Sequence, residues 1–233
     1  MNEFPDVMII YVLTALIAYL IGSFNMAILI SKYHKFSDIR EHGSGNAGFT
    51  NMMRNYGKKA AFITFAGDIL KTVVAVLIGW CTLGYLTAYI AGLACFIGHI
   101  CPVFYRFRGG KGVVCMATSI LMLDWRLFII LFAMFILSVL CTKYISFGSV
   151  LCAMLFPLIL NRMNDTGLFL IEFVAMAIAV IVVIKHIGNL KRIFEGTESK
   201  FEFKKSKKAS DDSDDAEEEI ETADVKGGKH GKR

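Results

Sequence analysis

About seven apolar stretches, near residues 7–30, 60–80, 85–105, 112–124, 127–142, 147–160 and 168–187, limit what this chain can fold into. A helix needs about 20 mostly apolar residues to cross a hydrocarbon core about 30 Å thick, and it must satisfy its own backbone polar groups while inside. With 55% of 233 residues hydrophobic and a mean hydropathy of +0.56, the chain is no ordinary soluble domain. It reads as an all-α integral membrane protein of about seven transmembrane helices. The fourth to sixth stretches are shorter than a full crossing, so six or five crossings stand as alternatives. The first is too long for a signal-peptide core and lacks a basic flank and a cleavage site, which makes it a retained helix. Cys81, Cys95, Cys101, Cys115, Cys141 and Cys152 lie in or beside apolar stretches without CxxC spacing and read as ordinary buried thiols.

Orientation follows from where the basic residues sit, because short loops rich in Lys and Arg stay on the cytoplasmic side. One alternate set of connections holds Lys32, Lys35, Arg40, Arg54, Lys58 and Lys59, then Arg106, Arg108 and Lys111, then Lys143, then Lys185, Lys191, Arg192, Lys200, Lys204 and Lys205. The other set holds only Arg126 and Arg162. An odd number of crossings then puts the N-terminus outside and the C-terminus in the cytoplasm. Residues 1–200 form the membrane domain. Residues 201–233 run from a basic start into DDSDDAEEEIE with almost no large apolar side chains, so a disordered, charged cytoplasmic tail is expected there.

Three polar islands interrupt the apolar pattern: HGSGNAGFTNMMR at 42–54, FRGGKGV at 107–113 and KHIGNLKR at 185–192. The topology returns all three to one face. Each joins small residues, which let backbone N–H groups approach an anion, with Arg or Lys that can neutralise it. In the first, Gly43, Gly45 and Gly48 permit a tight turn, while Ser44, Asn46, Thr50 and Asn51 supply short polar side chains. A helix starting near Ala47 puts Thr50, Asn51 and Arg54 on one face. In the second, Lys111 stands among Gly109, Gly110 and Gly112. The GxxxxGK[ST] spacing and a preceding strand are both missing, which rejects a nucleotide P-loop. In the third, His186, Asn189 and Arg192 recur every three residues and share a helical stripe. A capped glycine turn, a flexible basic loop and a snorkelling histidine are the bland readings of the three islands taken singly; their convergence is what favours a site. Asp68 and Lys71, one helical turn apart inside an apolar stretch, can pair and lessen the cost of charge in lipid. They and His99 read as structural or pocket-supporting residues.

Taken in order, GSGNAGFTNMMR, AGDILK, GHICPVF, FRGGKGV and HIGNLKRIFEGTESK resemble the bacterial PlsY family, glycerol-3-phosphate acyltransferases that use acyl phosphate as donor. The resemblance runs through nearly the whole membrane part to Lys200. It implies a seven-helix enzyme of the bacterial inner membrane, active at the cytoplasmic face. Such an enzyme moves an acyl chain from acyl phosphate to the 1-hydroxyl of glycerol 3-phosphate, releasing lysophosphatidic acid and phosphate. Carried to matching positions, Ser44, Arg54, Lys111, His186 and Asn189 would bind glycerol 3-phosphate, with Ser44, Lys111, His186 and Asn189 as the catalytic set. The backbone around Gly109, Gly110 and Gly112, with the loop from Ser44 through Gly45 and Asn46 to Gly48, would hold the donor's phosphate. Thr50, Asn51 and Arg192 complete the substrate-binding set. Phe49 stands where many relatives carry a small residue.

Acyl phosphate is already activated, so the expected chemistry is positioning, neutralisation of two anionic headgroups and stabilisation of charge on the attacked carbonyl. No serine or cysteine with an adjacent base is evident, which favours direct transfer without an acyl-enzyme. The resemblance suggests the donor phosphate as proton acceptor, with His186 as base the lesser alternative. The His-x-x-x-x-Asp motif of acyltransferases that use acyl-CoA or acyl carrier protein is missing. No metal ligand cluster and no cofactor are expected, and no nucleic acid; the partners are the two substrates and membrane lipid. The non-enzymatic alternative is a transporter of a phosphorylated metabolite, which predicts polar groups at mid-membrane and internal repeats.

Overall fold

The computed structural model describes residues 3–164 and 167–201, so the tail expected to be disordered lies, from residue 202 on, outside the described residues. The helices belong to one unit, Met1–Ser199. Among the described residues they are α1 (Glu3–Ser23), α2 (Met26–His34), α3 (Phe49–Leu83), α4 (Tyr85–Ile100), α5 (Val113–Leu123), α6 (Trp125–Thr142), α7 (Ile145–Met163) and α8 (Phe169–Phe194), with short 3-10 turns at Ile39–Glu41 and Val103–Tyr105. The all-helical reading of the sequence holds. Among the described residues six segments are long and apolar enough to cross a membrane, and α5 is a shorter apolar helix.

Three local departures from regular helix shape the molecule. The first apolar stretch is broken: α1 stops at Ser23, and Asn25 restarts the chain as α2 by accepting a hydrogen bond from the Ile28 N–H at 3.1 Å. The break exposes the Phe24 carbonyl to other partners. α3 is longer than the expected 60–80 span; its 35 residues start beside the first island and contain Gly57 at φ 78°, ψ −179°. That left-handed residue turns the amphipathic first two turns away from the apolar remainder. The third departure precedes α5, where the chain runs back along the end of α4. There the Gly109 N–H donates to the Ile100 carbonyl at 3.0 Å and the Gly110 N–H to the His99 carbonyl at 3.1 Å. Non-helical backbone is tolerated near membrane depth when its polar groups are satisfied by protein in this way.

The helices pack through three apolar clusters. The largest joins α4 to α8 through Phe96, Met116, Leu127, Phe156, Ile171 and Val182. A second joins α2, the first island and the start of α3 through Ile28, Ile39, Ala47 and Met52. The third, between α1, α3 and α4, is built from Ala18, Ala75, Ala91 and Cys95, residues small enough to let backbones touch. A Cβ added to Gly22 would lie 2.1 Å from the Cys95 carbonyl oxygen, and one on Gly98 would lie 2.3 Å from that of Tyr19. Large apolar side chains on the outside, among them Leu13, Phe62, Leu70, Ile130, Phe173 and Ile184, suit a lipid solvent.

Candidate functional site

The first island is a loop wound around one side chain. Asn51 is buried; its Nδ2 lies 3.2, 2.9 and 3.1 Å from the carbonyl oxygens of Ile39, His42 and Asn46, and its Oδ1 accepts from the Ser44 N–H at 3.1 Å. Gly43 and Gly45 make the turn possible with φ of 57° and 69°. Asn51 therefore fills its hydrogen-bonding capacity inside the loop and does not share an outward face with Arg54, contrary to the helical-face expectation. Helix α3 begins at Phe49 with Gly48 as its cap, two residues later than the expected start. His42, Ser44 and Arg54 are exposed polar members of the segment, with Asn46 and Thr50 half-buried.

The glycines of the first two islands also do a different job from the one expected. The Gly45 and Gly48 N–H groups donate to His42 and Asn46 carbonyls at 3.0 and 3.1 Å, and those of Gly109 and Gly110 to the end of α4. These amides are thus bonded within the chain instead of forming an open cradle. What Gly109 and Gly110 supply is close approach: a Cβ on Gly109 would sit 2.0 Å from the His99 carbonyl oxygen, and one on Gly110 2.2 Å from His99 Nε2. Gly112, at φ 78°, opens α5 without a side-chain cap, so the positive end of that helix stands beside Lys111.

The third island and the second meet directly. Lys111 Nζ donates to Asn189 Oδ1. Asn189 Nδ2 donates to Glu198 Oε1 at 2.6 Å, Arg192 Nε to Glu198 Oε2 at 2.8 Å, and Ser146 Oγ from the start of α7 to Glu198 Oε1 at 2.8 Å. One turn before Asn189, buried His186 places its Nδ1 2.8 Å from the Val182 carbonyl, which can only accept, so Nδ1 carries a proton and is committed to the backbone. Burial pushes the Lys111 ammonium down from 10.5 to about 8; Glu198 opposes this, and Arg192 and Arg54 add to it. Lys111 therefore feels cations from both other islands, which brings Arg54, Lys111 and Arg192 into one electrostatic field. Burial would raise the Glu198 carboxyl, but hydrogen bonds from Asn189, Ser146 and Arg192 outweigh it and hold the group below its usual range.

Several contributors escaped the sequence reading. Glu198 and Ser146 passed without notice, although Gly196, at φ 72°, is the signal of a chain turning back after α8. Arg40 counted only as a charge that sets orientation. Its Nη1 donates to the carbonyls of Tyr105 and Arg108 at 2.8 and 3.0 Å, and its Nη2 pairs with Asp38 at 2.7 Å, so it ties the loop before the first island to the loop before the second. Hydrogen bonding from Arg40 brings the Asp38 carboxyl down to about 2. Beneath these loops lie Asp68, Lys71 and His99, buried together, with Lys71 Nζ 2.7 Å from Asp68 Oδ1.

Residues 12–196 match the family model described as glycerol-3-phosphate acyltransferase. The chain belongs to the glycerol-3-phosphate acyltransferase family. The glycerol-3-phosphate acyltransferase of Thermoanaerobacter pseudethanolicus is 44% identical over 191 residues, covering 81% of this chain and 94% of that protein. The corresponding protein of Clostridioides difficile is 39% identical over 206 residues, 84% of this chain and 97% of its own. Among solved structures, this acyltransferase resembles PlsY (YgiH), an integral membrane glycerol 3-phosphate acyltransferase, in its glycerol 3-phosphate form, with a TM-score of 0.76, 30% identity and coverage of 82% and 96%. A lysophosphatidic acid form of that protein superposes with a TM-score of 0.73, at 28% identity and coverage of 82% and 95%. The family resemblance read from the islands is therefore established for an all-helical membrane acyltransferase.

Proposed function

We propose that this acyltransferase takes its acyl group from acyl phosphate and delivers it to the sn-1 hydroxyl of glycerol 3-phosphate. The observation that carries the reading is the convergence of Arg54, Lys111 and Arg192, one cation from each island, around polar His186 and Asn189. Two phosphate-bearing substrates repel each other; a cationic floor with one carboxylate offsets that repulsion without binding either substrate irreversibly. The hydroxyl oxygen attacks the acyl carbonyl carbon, the bond from that carbon to the phosphate oxygen breaks, and the departing phosphate takes the hydroxyl proton. Lysophosphatidic acid and inorganic phosphate result. Substrate-assisted proton transfer fits a site in which His186 Nδ1 is committed to the backbone and Glu198 is engaged by three donors. Ser44, Lys111, His186 and Asn189 orient the substrates, with Asn46, Thr50 and the α5 end beside Gly112 as further contacts. The enzyme sits in the bacterial inner membrane, N-terminus outside, with the three islands at the cytoplasmic face where glycerol 3-phosphate is available.

The test is purified protein in detergent or lipid with glycerol 3-phosphate and either palmitoyl phosphate or palmitoyl-CoA, following lysophosphatidic acid, with Lys111→Ala as control. Product from acyl phosphate alone, lost in the variant, supports the reading. Preference for the CoA donor overturns the donor assignment, and folded protein that makes no product with either donor removes the proposal.

A further inference from the structure

Beneath the loops, the ammonium of Lys71 meets three acceptors: Asp68 Oδ1 at 2.7 Å, His99 Nδ1 at 2.9 Å and the Phe24 carbonyl, freed by the break between α1 and α2, at 3.1 Å. Nδ1 of His99 also lies 3.4 Å from Asp68 Oδ1, so the ammonium and the carboxylate grip one edge of the ring and leave the Nε2 edge free of them. That edge of the ring faces the second island: a Cβ on Gly110 would lie 2.2 Å from Nε2 and 2.5 Å from the Ala47 carbonyl oxygen of the first island. The backbone of the same residue holds the loop as well, since the His99 carbonyl accepts the Gly110 N–H at 3.1 Å. Ala47 is in turn reached by Asn25 Nδ2 at 3.4 Å, the residue that restarts α2. One buried histidine thus touches the segment immediately before Lys111 with both its ring and its carbonyl, and two charged neighbours fix the ring.

We infer that His99 is a positioning residue for Lys111, with Lys71 and Asp68 holding the tilt of its ring. This rests on the reading of Lys111 as a phosphate ligand. Charges buried in the membrane interior are costly unless they are paired and used. Pairing Asp68 with Lys71 alone would satisfy the charges; running Lys71 on to His99 and the Phe24 carbonyl joins the broken first span to both phosphate loops.

The test compares His99→Asn with His99→Gln in the purified full-length protein. Asparagine places an amide near the Nδ1 position and keeps the Lys71 contact, whereas glutamine reaches the Nε2 position and keeps the loop contact. If positioning is the role, His99→Asn melts near the parent yet raises KM for glycerol 3-phosphate by about tenfold to a hundredfold, the scale of a 1 Å misplacement. Its Lys111 is also acetylated faster by an amine reagent, read by peptide mass spectrometry, while His99→Gln stays near the parent in both. Parent-like KM and Lys111 reactivity in His99→Asn, with loss confined to His99→Gln, overturn the inference and leave a cluster that serves stability alone. If neither variant folds, the 15N imidazole spectrum of the parent decides, a ring protonated on Nε2 supporting the inference and a neutral Nδ1–H ring with bare Nε2 overturning it. Absence of product from the parent with either donor removes the acyl-transfer reading, and the Lys111 reactivities still decide the positioning.

Discussion

Lys111 is the residue on which pH should act. Its ammonium is brought to about 8, so it is charged below that pH and loses its charge as pH rises through it. A phosphate monoester becomes a dianion above about pH 6. The product of the two populations gives kcat/KM for glycerol 3-phosphate a rising limb near 6 and a falling limb near 8, measured in lipid at constant ionic strength. Lys111→Arg keeps its charge across this range, and its falling limb should disappear even though the altered geometry lowers kcat. Glu198→Gln supplies a second check with an opposite sign. Glu198 raises the Lys111 pKa, so neutralising it moves the falling limb to lower pH, while the glutamine can still meet Asn189 and Ser146. A profile that is flat from 6 to 9 in the parent, or unmoved in Glu198→Gln, removes Lys111 as the titrating group.

At the scale of elements, glycine sets how closely α1 and α4 can lie, and this was only half legible in the sequence. The apolar stretches announced the helices because a membrane solvent leaves few other structures possible. Gly22 and Gly98, by contrast, look like incidental small residues until the two backbones are seen to touch. Gly22→Ala drives a Cβ into the Cys95 carbonyl oxygen, a backbone atom that cannot rotate aside, so α1 and α4 must separate. The expected destabilisation is about 1–3 kcal/mol, typical of an added methyl in a packed interface, read as a lower melting temperature in detergent, and Gly22→Leu should not fold. Gly57→Ala tests a different element. Nothing lies within 4 Å of its added Cβ, so its cost is that of the backbone conformation alone (φ 78°, ψ −179°, open almost only to glycine), about 1–3 kcal/mol. The sequence showed a helix in this region but not its kink, because a glycine inside a helical pattern does not declare its φ. The break at Phe24 was hidden for a related reason: the apolar run continues straight through it, and only the buried cap made by Asn25 marks it.

Within the helical unit the three polar islands meet, and the sequence revealed that gathering through charge before any contact was known. It did not reveal how the gathering is built. Three islands separated by more than fifty residues were legible as one site because alternate connections carried the basic residues; Asn51 as the knot of a loop, Glu198 as the hub of Asn189, Arg192 and Ser146, and Arg40 as a tie between loops depend on tertiary pairing that no local pattern encodes. The same charge count makes a prediction about the molecule in its membrane. Lys35 lies in the loop after α2, beside the islands, and Arg162 near the far end of α7, and both are exposed. With the exposed native thiols Cys81 and Cys141 changed to serine, a membrane-impermeant maleimide should label Arg162→Cys in intact cells and leave Lys35→Cys untouched. Inside-out vesicles should give the reverse. Glycerol 3-phosphate is a dianion that does not cross lipid, so a site facing outward would be cut off from a substrate made in the cytoplasm. Labelling of Lys35→Cys in intact cells would therefore overturn more than the orientation: it would leave Arg54, Lys111 and Arg192 on the side without substrate, and the acyl-transfer reading would fall with it.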